Sequence, residues 1–337
     1  MTRLFTRTFG ALAPIAFFAL AVQSYAQTKV PAAPPQAPAA QAPAAAPSAP
    51  APAGPPKFPA PDPANFTAPS PTKETIDAFL QANWGYDPNR IWQVQAIMKT
   101  PVEGVAKVVV FVGDRTGREK PSALVFFSLP DGKHIITGDQ VVAFGEHPFA
   151  DTRAQLEQRA DGPYRGSASK NLELVEFADF QCPHCKEAQA NMDKLVADFP
   201  QARIVFQNSP IPSIHPEAMN AAEYGVCVDK MGGSTAFFQF ASAVFEGQEG
   251  LATPDGATLT LNSATTKAGL DPTKVSACAS QPQTKAEVEA SLKLGSDLGI
   301  NEVPTLVING REVPANAPYD LLKKIVEYQA KIDGVTP

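Results

Sequence analysis

The chain has little with which to build a metal centre: four cysteines and four histidines in 337 residues. Only Cys182 and Cys185 lie close together; Cys227 and Cys278 stand alone, and His134 and His147 have no cluster of partners. A structural zinc site draws on two close ligand pairs, so no metal is expected, and nothing in the sequence implies a cofactor. An excess of basic residues is also missing: 28 Lys and Arg face 34 Asp and Glu, a net charge of −6. That balance argues against nucleic acid or an anionic membrane surface as a partner. Long apolar runs are scarce too. The longest, Leu12 to Val22, falls short of the roughly 20 residues that cross a bilayer.

That run sits in a secretory pattern. Arg3 and Arg7 precede it, and Ser24-Tyr25-Ala26 offers small residues at a cleavage site, so residues 1–26 read as a signal peptide. An uncleaved anchor is the rival reading. Export places the remaining chain in an oxidising compartment, where disulfides persist. Of the 34 prolines, 15 fall between Pro31 and Pro71. Residues 27–71 therefore read as a disordered Pro/Ala spacer, with too few large apolar side chains to offset ordering entropy. A polyproline ligand for a partner domain is the alternative for this stretch.

Beyond the spacer the text becomes periodic. Ile76, Phe79 and Leu80 share one helical face, and strand-like runs follow at 91–98, 105–112, 123–129 and 134–142. Turn signals such as Gly113-Asp114 and Pro130-Asp131-Gly132 separate them. The expectation is a small α+β module over 72–147, joined by a connecting helix and linker over 148–168. From 169 to 332 the order is strand, helix, strand, a helical block over roughly 216–299, strand and helix. This is an α/β arrangement: a βαβ unit and a later βα unit with a helical insertion between them.

Cys182-Pro183-His184-Cys185 opens the first helix of that domain. Positions i and i+3 share a helix face about 5–6 Å apart, within disulfide reach. Cys182 would sit where unpaired N–H groups and the helix dipole favour an anion, while Cys185 lies one turn deeper. Pro183 suits the first turn because it has no N–H to leave unpaired, and His184 adds a donor or a positive charge. Such motifs hold the nucleophile's pKa at about 3.5–7.5. Stabilising the reduced form makes the disulfide a stronger oxidant, which predicts a donor of disulfides. A purely structural Cys182–Cys185 bridge is the plainer alternative, but so short a loop gains little chain entropy.

The stretch Glu176-Phe177-Ala178-Asp179-Phe180-Gln181-Cys182-Pro183-His184-Cys185 resembles the active site of DsbA-type periplasmic disulfide oxidoreductases, a thioredoxin-like fold. Gly299 to Gly310 resembles that family's second signature, the cis-proline loop, and Ile214-His215-Pro216-Glu217-Ala218 its helical insertion. The resemblance covers 169–332. It implies that Val303, before a cis Pro304, binds the backbone of a substrate peptide, and that Glu176 is a buried acid exchanging protons with Cys185. An exposed Glu176 with no role is the alternative, since alternation along the strand leaves its direction open. Cys227 and Cys278 are expected to form a structural disulfide within the insertion, as some DsbA-like proteins carry; two buried free thiols are the alternative. His215, before Pro216, is expected to cap or pack at a helix start, and the resemblance gives it added interest.

Thr100-Pro101-Val102-Glu103-Gly104 and Asp131 to Asp139 resemble the N-terminal dimerisation module of DsbC/DsbG-type isomerases. That resemblance implies a homodimer through 72–147 and disulfide shuffling. Val303 and the Pro-His dipeptide point instead to an oxidase, since isomerases of this group usually place threonine before the proline. The implied partners are reduced or misfolded exported proteins and a membrane redox protein, with a periplasmic location. A reading from another class is a thioredoxin-fold binding or chaperone module without turnover.

Overall fold

The computed structural model describes residues 54–336; the expected signal peptide and residues 27–53 of the expected spacer lie outside them. From 54 onward the chain already packs. Phe58 meets Phe111 at 6.1 Å between ring centroids, and the Pro59 carbonyl accepts a hydrogen bond from Gln95 Nε2. A short 3-10 turn, Pro63–Asn65, leads to a bridge between Phe66 and Ile97. The spacer expectation therefore runs too far: its last stretch carries Phe58 and Phe66, two aromatic anchors that the proline count obscures.

The first module is a helix on a five-stranded antiparallel meander. Helix α1 (Lys73–Trp84) is capped by Thr72, whose side chain accepts from the Thr75 N–H. Strands β1 (Arg90–Lys99), β2 (Ala106–Asp114), β3 (Ser122–Ser128), β4 (His134–Thr137) and β5 (Gln140–Ala143) follow in spatial order. The run expected as one strand over 134–142 is two, because Gly138 takes φ 60 and turns the chain back. Ile76, Phe79 and Leu80 pack on Val94, Ile97, Val108, Val110, Phe126 and Ile135. The other sheet face leaves Val125, Phe127 and Val141 exposed.

Helix α2 (Ala150–Arg159) leads to the second sheet, ordered β10-β9-β7-β8-β6. Its members are β6 (Tyr164–Gly166), β7 (Glu173–Ala178), β8 (Arg203–Asn208), β9 (Thr305–Ile308) and β10 (Arg311–Pro314). Strands β7 and β8 are parallel, joined by helix α3 (Pro183–Asp198); the other pairings are antiparallel. Strand β6 precedes the expected start of this domain at 169 and, like β10, was too short to carry a periodic signal. Alternation along β7 sorts its side chains: Leu174 joins Met192, Leu195, Leu306, Leu322 and Ile325 on the side of α3 and α8 (Tyr319–Ile332). Val175 and Phe177 join Leu156, Val205, Leu294 and Val307 on the other. All six residues of β7 are buried, as a strand covered on both faces requires.

Between β8 and β9 runs the insertion: α4 (Ala218–Glu246), α5 (Pro254–Lys267), α6 (Pro272–Ala279) and α7 (Pro282–Asp297). Gly233, at φ 72, kinks α4. Most of the break expected over 247–262 is helix α5, whose start Thr253 caps by accepting from the Gly256 N–H. Cys227 on α4 and Cys278 on α6 are disulfide-bonded. The two modules meet at Arg311, which is 5% exposed. Its guanidinium donates to the carbonyls of Ala82 and Asn83 at the end of α1 and to Gln329 Oε1, and it lies over the Phe149 ring. Burial lowers its pKa to about 10.

Candidate functional site

The active-site candidates converge where β7 hands over to α3. Cys182 is the N-cap residue, with extended backbone (φ −77, ψ 121), and Pro183 opens the first turn. Both cysteines are free thiols and both are buried, Cys182 at 5% exposure and Cys185 at 0%. They share an apolar cluster with Phe180, Phe206, Phe237 and Phe240, so the insertion supplies the packing around the dithiol. Phe180 stacks on Phe206 at 5.1 Å and meets Phe240 edge-on at 5.8 Å, which fixes the loop leading into Cys182.

This setting divides the thiols. A hydrogen bond from the Cys185 thiol, then the N–H groups of Cys185 and His184 and the charge of His215, lower the Cys182 pKa to about 6 against its burial. Those N–H groups favour the charged sulfur without closing a geometrically formal cap bond. The same thiol–thiol bond and burial push Cys185 far above the ordinary thiol range. The pair is thus one reactive thiolate and one proton-bearing partner.

His184 and Glu176 fall on opposite sides of the exposure scale. The His184 side chain is 65% exposed, with Nδ1 3.0 Å from Glu187 Oε2, and that contact raises its pKa. Glu176 is 2% exposed, on the α3 side of β7 with Leu174. Gln189 Nε2 donates to its Oε1 at 2.8 Å and to the Cys185 carbonyl at 3.1 Å, linking acid and inner cysteine through one side chain. Desolvation raises the Glu176 pKa to about 7, against the opposing pull of Arg165.

Val303-Pro304 is a cis peptide. Pro304 is buried, and Val303 packs against the cluster that contains Cys182. The sheet ladder begins only at Thr305, which faces Phe177, so Val303 precedes it. Cys227 and Cys278 lie in the insertion and take no part in the dithiol.

Several residues at the site were not singled out from the sequence. Gln248 Nε2 donates to the Phe180 and Cys182 carbonyls, 2.9 Å each. Gln181 Nε2 answers with a 2.9 Å bond to the Leu251 carbonyl. Asp179 Oδ1 accepts from the Gln181 N–H at 2.7 Å, and its Oδ2 accepts from the Ile211 N–H at 2.9 Å. His215 Nδ1 lies 2.8 Å from that Oδ2, so His215 is bound to the catalytic loop rather than capping α4, which starts at Ala218. Position alone could have flagged Asp179 and Gln181, the polar neighbours of Cys182; nothing local marks Gln248.

A protein-family model described as Thioredoxin matches residues 158–328. Among curated proteins, the Na(+)/H(+) antiporter NhaA 3 of Salinispora tropica is 31% identical over 91 residues, 27% of this chain and 14% of that protein. NhaA 1 of Mycolicibacterium vanbaalenii is 32% identical over 88 residues, 26% of this chain and 14% of that protein. The chain thus matches only a small part of either relative. Among solved structures, a thioredoxin-like oxidoreductase from Silicibacter pomeroyi is 24% identical, with 53% of this chain and 98% of that one covered at a TM-score of 0.45. The thiol-disulfide exchange protein alpha-DsbA2 from Wolbachia pipientis is 20% identical, with 53% and 96% covered at a TM-score of 0.45.

Proposed function

Because the chain belongs to the thioredoxin family, we propose that its Cys182/Cys185 pair performs thiol–disulfide exchange, as an exported oxidoreductase that passes a disulfide to client proteins. The observation that carries this reading is the division of the dithiol: a Cys182 pKa of about 6 beside a Cys185 held protonated. In the oxidised protein a client thiolate attacks Cys182 Sγ. The Cys182–Cys185 bond breaks, a mixed disulfide forms, and Cys185 leaves as a thiolate that takes a proton. Glu176, with a pKa of about 7 and joined to Cys185 through Gln189, is placed to supply it. The client's second thiolate then attacks the client sulfur, and Cys182 departs as a stable thiolate. The client ends with a disulfide and the protein with a dithiol, a balanced two-electron exchange. Val303 would pair with the extended client backbone.

The test mixes oxidised protein with a reduced, unfolded, multi-cysteine substrate, with alkylation traps read by mass spectrometry and Cys182→Ser as control. Loss of the Cys182–Cys185 disulfide in step with substrate oxidation supports the reading, and negligible transfer refutes it. A second reading is a dimeric isomerase joined through residues 72–147, which draws on the exposed Val125, Phe127 and Val141 of the first sheet. A monomer mass by light scattering at micromolar concentration would remove that reading. A periplasmic location and a membrane protein that resets the dithiol are part of the proposal, and they rest on the secretory pattern and on the chemistry of turnover.

A further inference from the structure

The histidine that sequence makes conspicuous is His184, inside the dithiol motif. Its geometry suits it poorly to act on Cys182. The side chain is 65% exposed, and its Nδ1 is engaged with Glu187 at 3.0 Å. A charge so placed is screened by water and salt.

His215 is differently placed. Its side chain is 15% exposed, and that of Asp179, its partner at 2.8 Å, is fully buried. Asp179 touches the dithiol through its own backbone as well: its N–H points at Cys185 Sγ at 3.4 Å, and its carbonyl accepts from the Cys182 N–H at 3.2 Å. The segment that carries His215 is fastened on both sides, by Ile211 N–H to Asp179 Oδ2 and by Glu217 N–H to Gln181 Oε1 at 2.8 Å. These hydrogen bonds lock an imidazole to the loop that ends in Cys182. The ionisable groups coupled to it are Asp179, through the hydrogen bond, and Cys182, through charge; Glu217, two residues on, is bonded to Asn220 at 3.1 Å.

We propose that Asp179 holds the imidazole of His215 beside Cys182, so that His215, more than His184, supplies the imidazolium charge that favours the Cys182 thiolate. The Asp179 carboxylate accepts the Nδ1–H and fixes the ring's orientation. In the partly desolvated setting a unit charge acts more strongly on the sulfur than the same charge in water. Among the causes that lower the Cys182 pKa, His215 acts through its charge and His184 chiefly through its backbone N–H, although the exposed His184 imidazole is also coupled to the Cys182 charge. His215 is a positioning residue in this account, and the inference rests on Cys182 being the exchanging sulfur.

The experiment measures the thiolate of reduced protein by its ultraviolet absorbance and by iodoacetamide alkylation rate against pH, in His215→Gln, His215→Lys and His184→Gln. His215→Gln keeps an N–H donor for Asp179 but removes the charge. It is expected to raise the Cys182 midpoint by about one pH unit, roughly a tenfold fall in thiolate fraction below the midpoint. Its disulfide should become less oxidising by about 30 mV, the equivalent of tenfold in the exchange constant. His215→Lys returns the charge and should restore most of the midpoint, a rescue that a merely structural role would not give. His184→Gln should move the midpoint less than His215→Gln. A larger shift in His184→Gln, or no rescue by lysine, overturns the proposal. Neither readout uses a client protein, so a failure of client oxidation with these results intact would refute the exchange reading and leave the His215 assignment standing.

Discussion

Replacing Glu176 with glutamine should make the protein more stable at alkaline pH, although it removes a carboxylate that accepts a hydrogen bond. The glutamate is 2% exposed, with a pKa near 7 against an ordinary value of 4.5. Between those values the folded state holds a proton that the unfolded chain has released, so stability falls as pH rises through the window. A difference of about 2.5 pH units is worth roughly 3 kcal/mol at about 1.36 kcal/mol per unit, and most of the loss falls between about pH 5 and 8. The Glu176→Gln variant would carry no such loss, and its amide oxygen can still accept from Gln189 Nε2. Urea unfolding followed by far-UV circular dichroism at about pH 5 and pH 8 reads the difference. The background should be Cys182→Ser/Cys185→Ser, because the lowered Cys182 pKa gives the reduced protein a pH dependence of opposite sign. The stability gap between the Glu176→Gln variant and its parent should widen by about 2.5 kcal/mol across that range. A gap that is the same at both ends would mean that Glu176 does not titrate in this window, and the proton-donor role would go with it.

Other outcomes follow from the same geometry. Reduced protein should be alkylated once, at Cys182, with a midpoint near pH 6, while Cys185 stays unmodified at neutral pH; peptide mapping that finds Cys185 labelled first would contradict the division of the dithiol. Joint replacement of Cys227 and Cys278 by Ser opens a loop spanning 51 residues. Stability should fall by about 4 kcal/mol on the chain-entropy treatment, with the Cys182 midpoint unchanged, as denaturation and thiol titration would show. Phe180→Ala empties a fully buried ring site that four other phenylalanines contact. It should cost about 3–5 kcal/mol in urea unfolding and slow Cys182 alkylation.

The dithiol was legible because its chemistry is local: a nucleophile, a proline and a second cysteine one turn on are adjacent in the chain. The buried strand β7 and amphipathic α3 were legible for the same reason, since periodicity needs only a short window. The direction of Glu176 was not, because it depends on which face of β7 receives α3. The grip of Gln248 on the Cys182 carbonyl spans 66 residues, and that of His215 on Asp179 spans 36. No local pattern announces such contacts, as they exist only once the insertion has folded back on the catalytic loop. Strands β6 and β10, of three and four residues, are held by their neighbours rather than by their own propensity.

The meeting of Arg311 with the end of α1 ties together the histories of the two modules. A helix leaves its last carbonyls without internal partners, and here two of them are satisfied by a side chain more than 200 residues away. The hairpin that closes the catalytic sheet is therefore also the terminal cap of a helix in the other module. Separating the two modules would leave the Arg311 guanidinium without these two carbonyl partners and expose the last turn of the helix. A recombination that brought in a new first module would have to bring a matching helix end with it to keep these bonds.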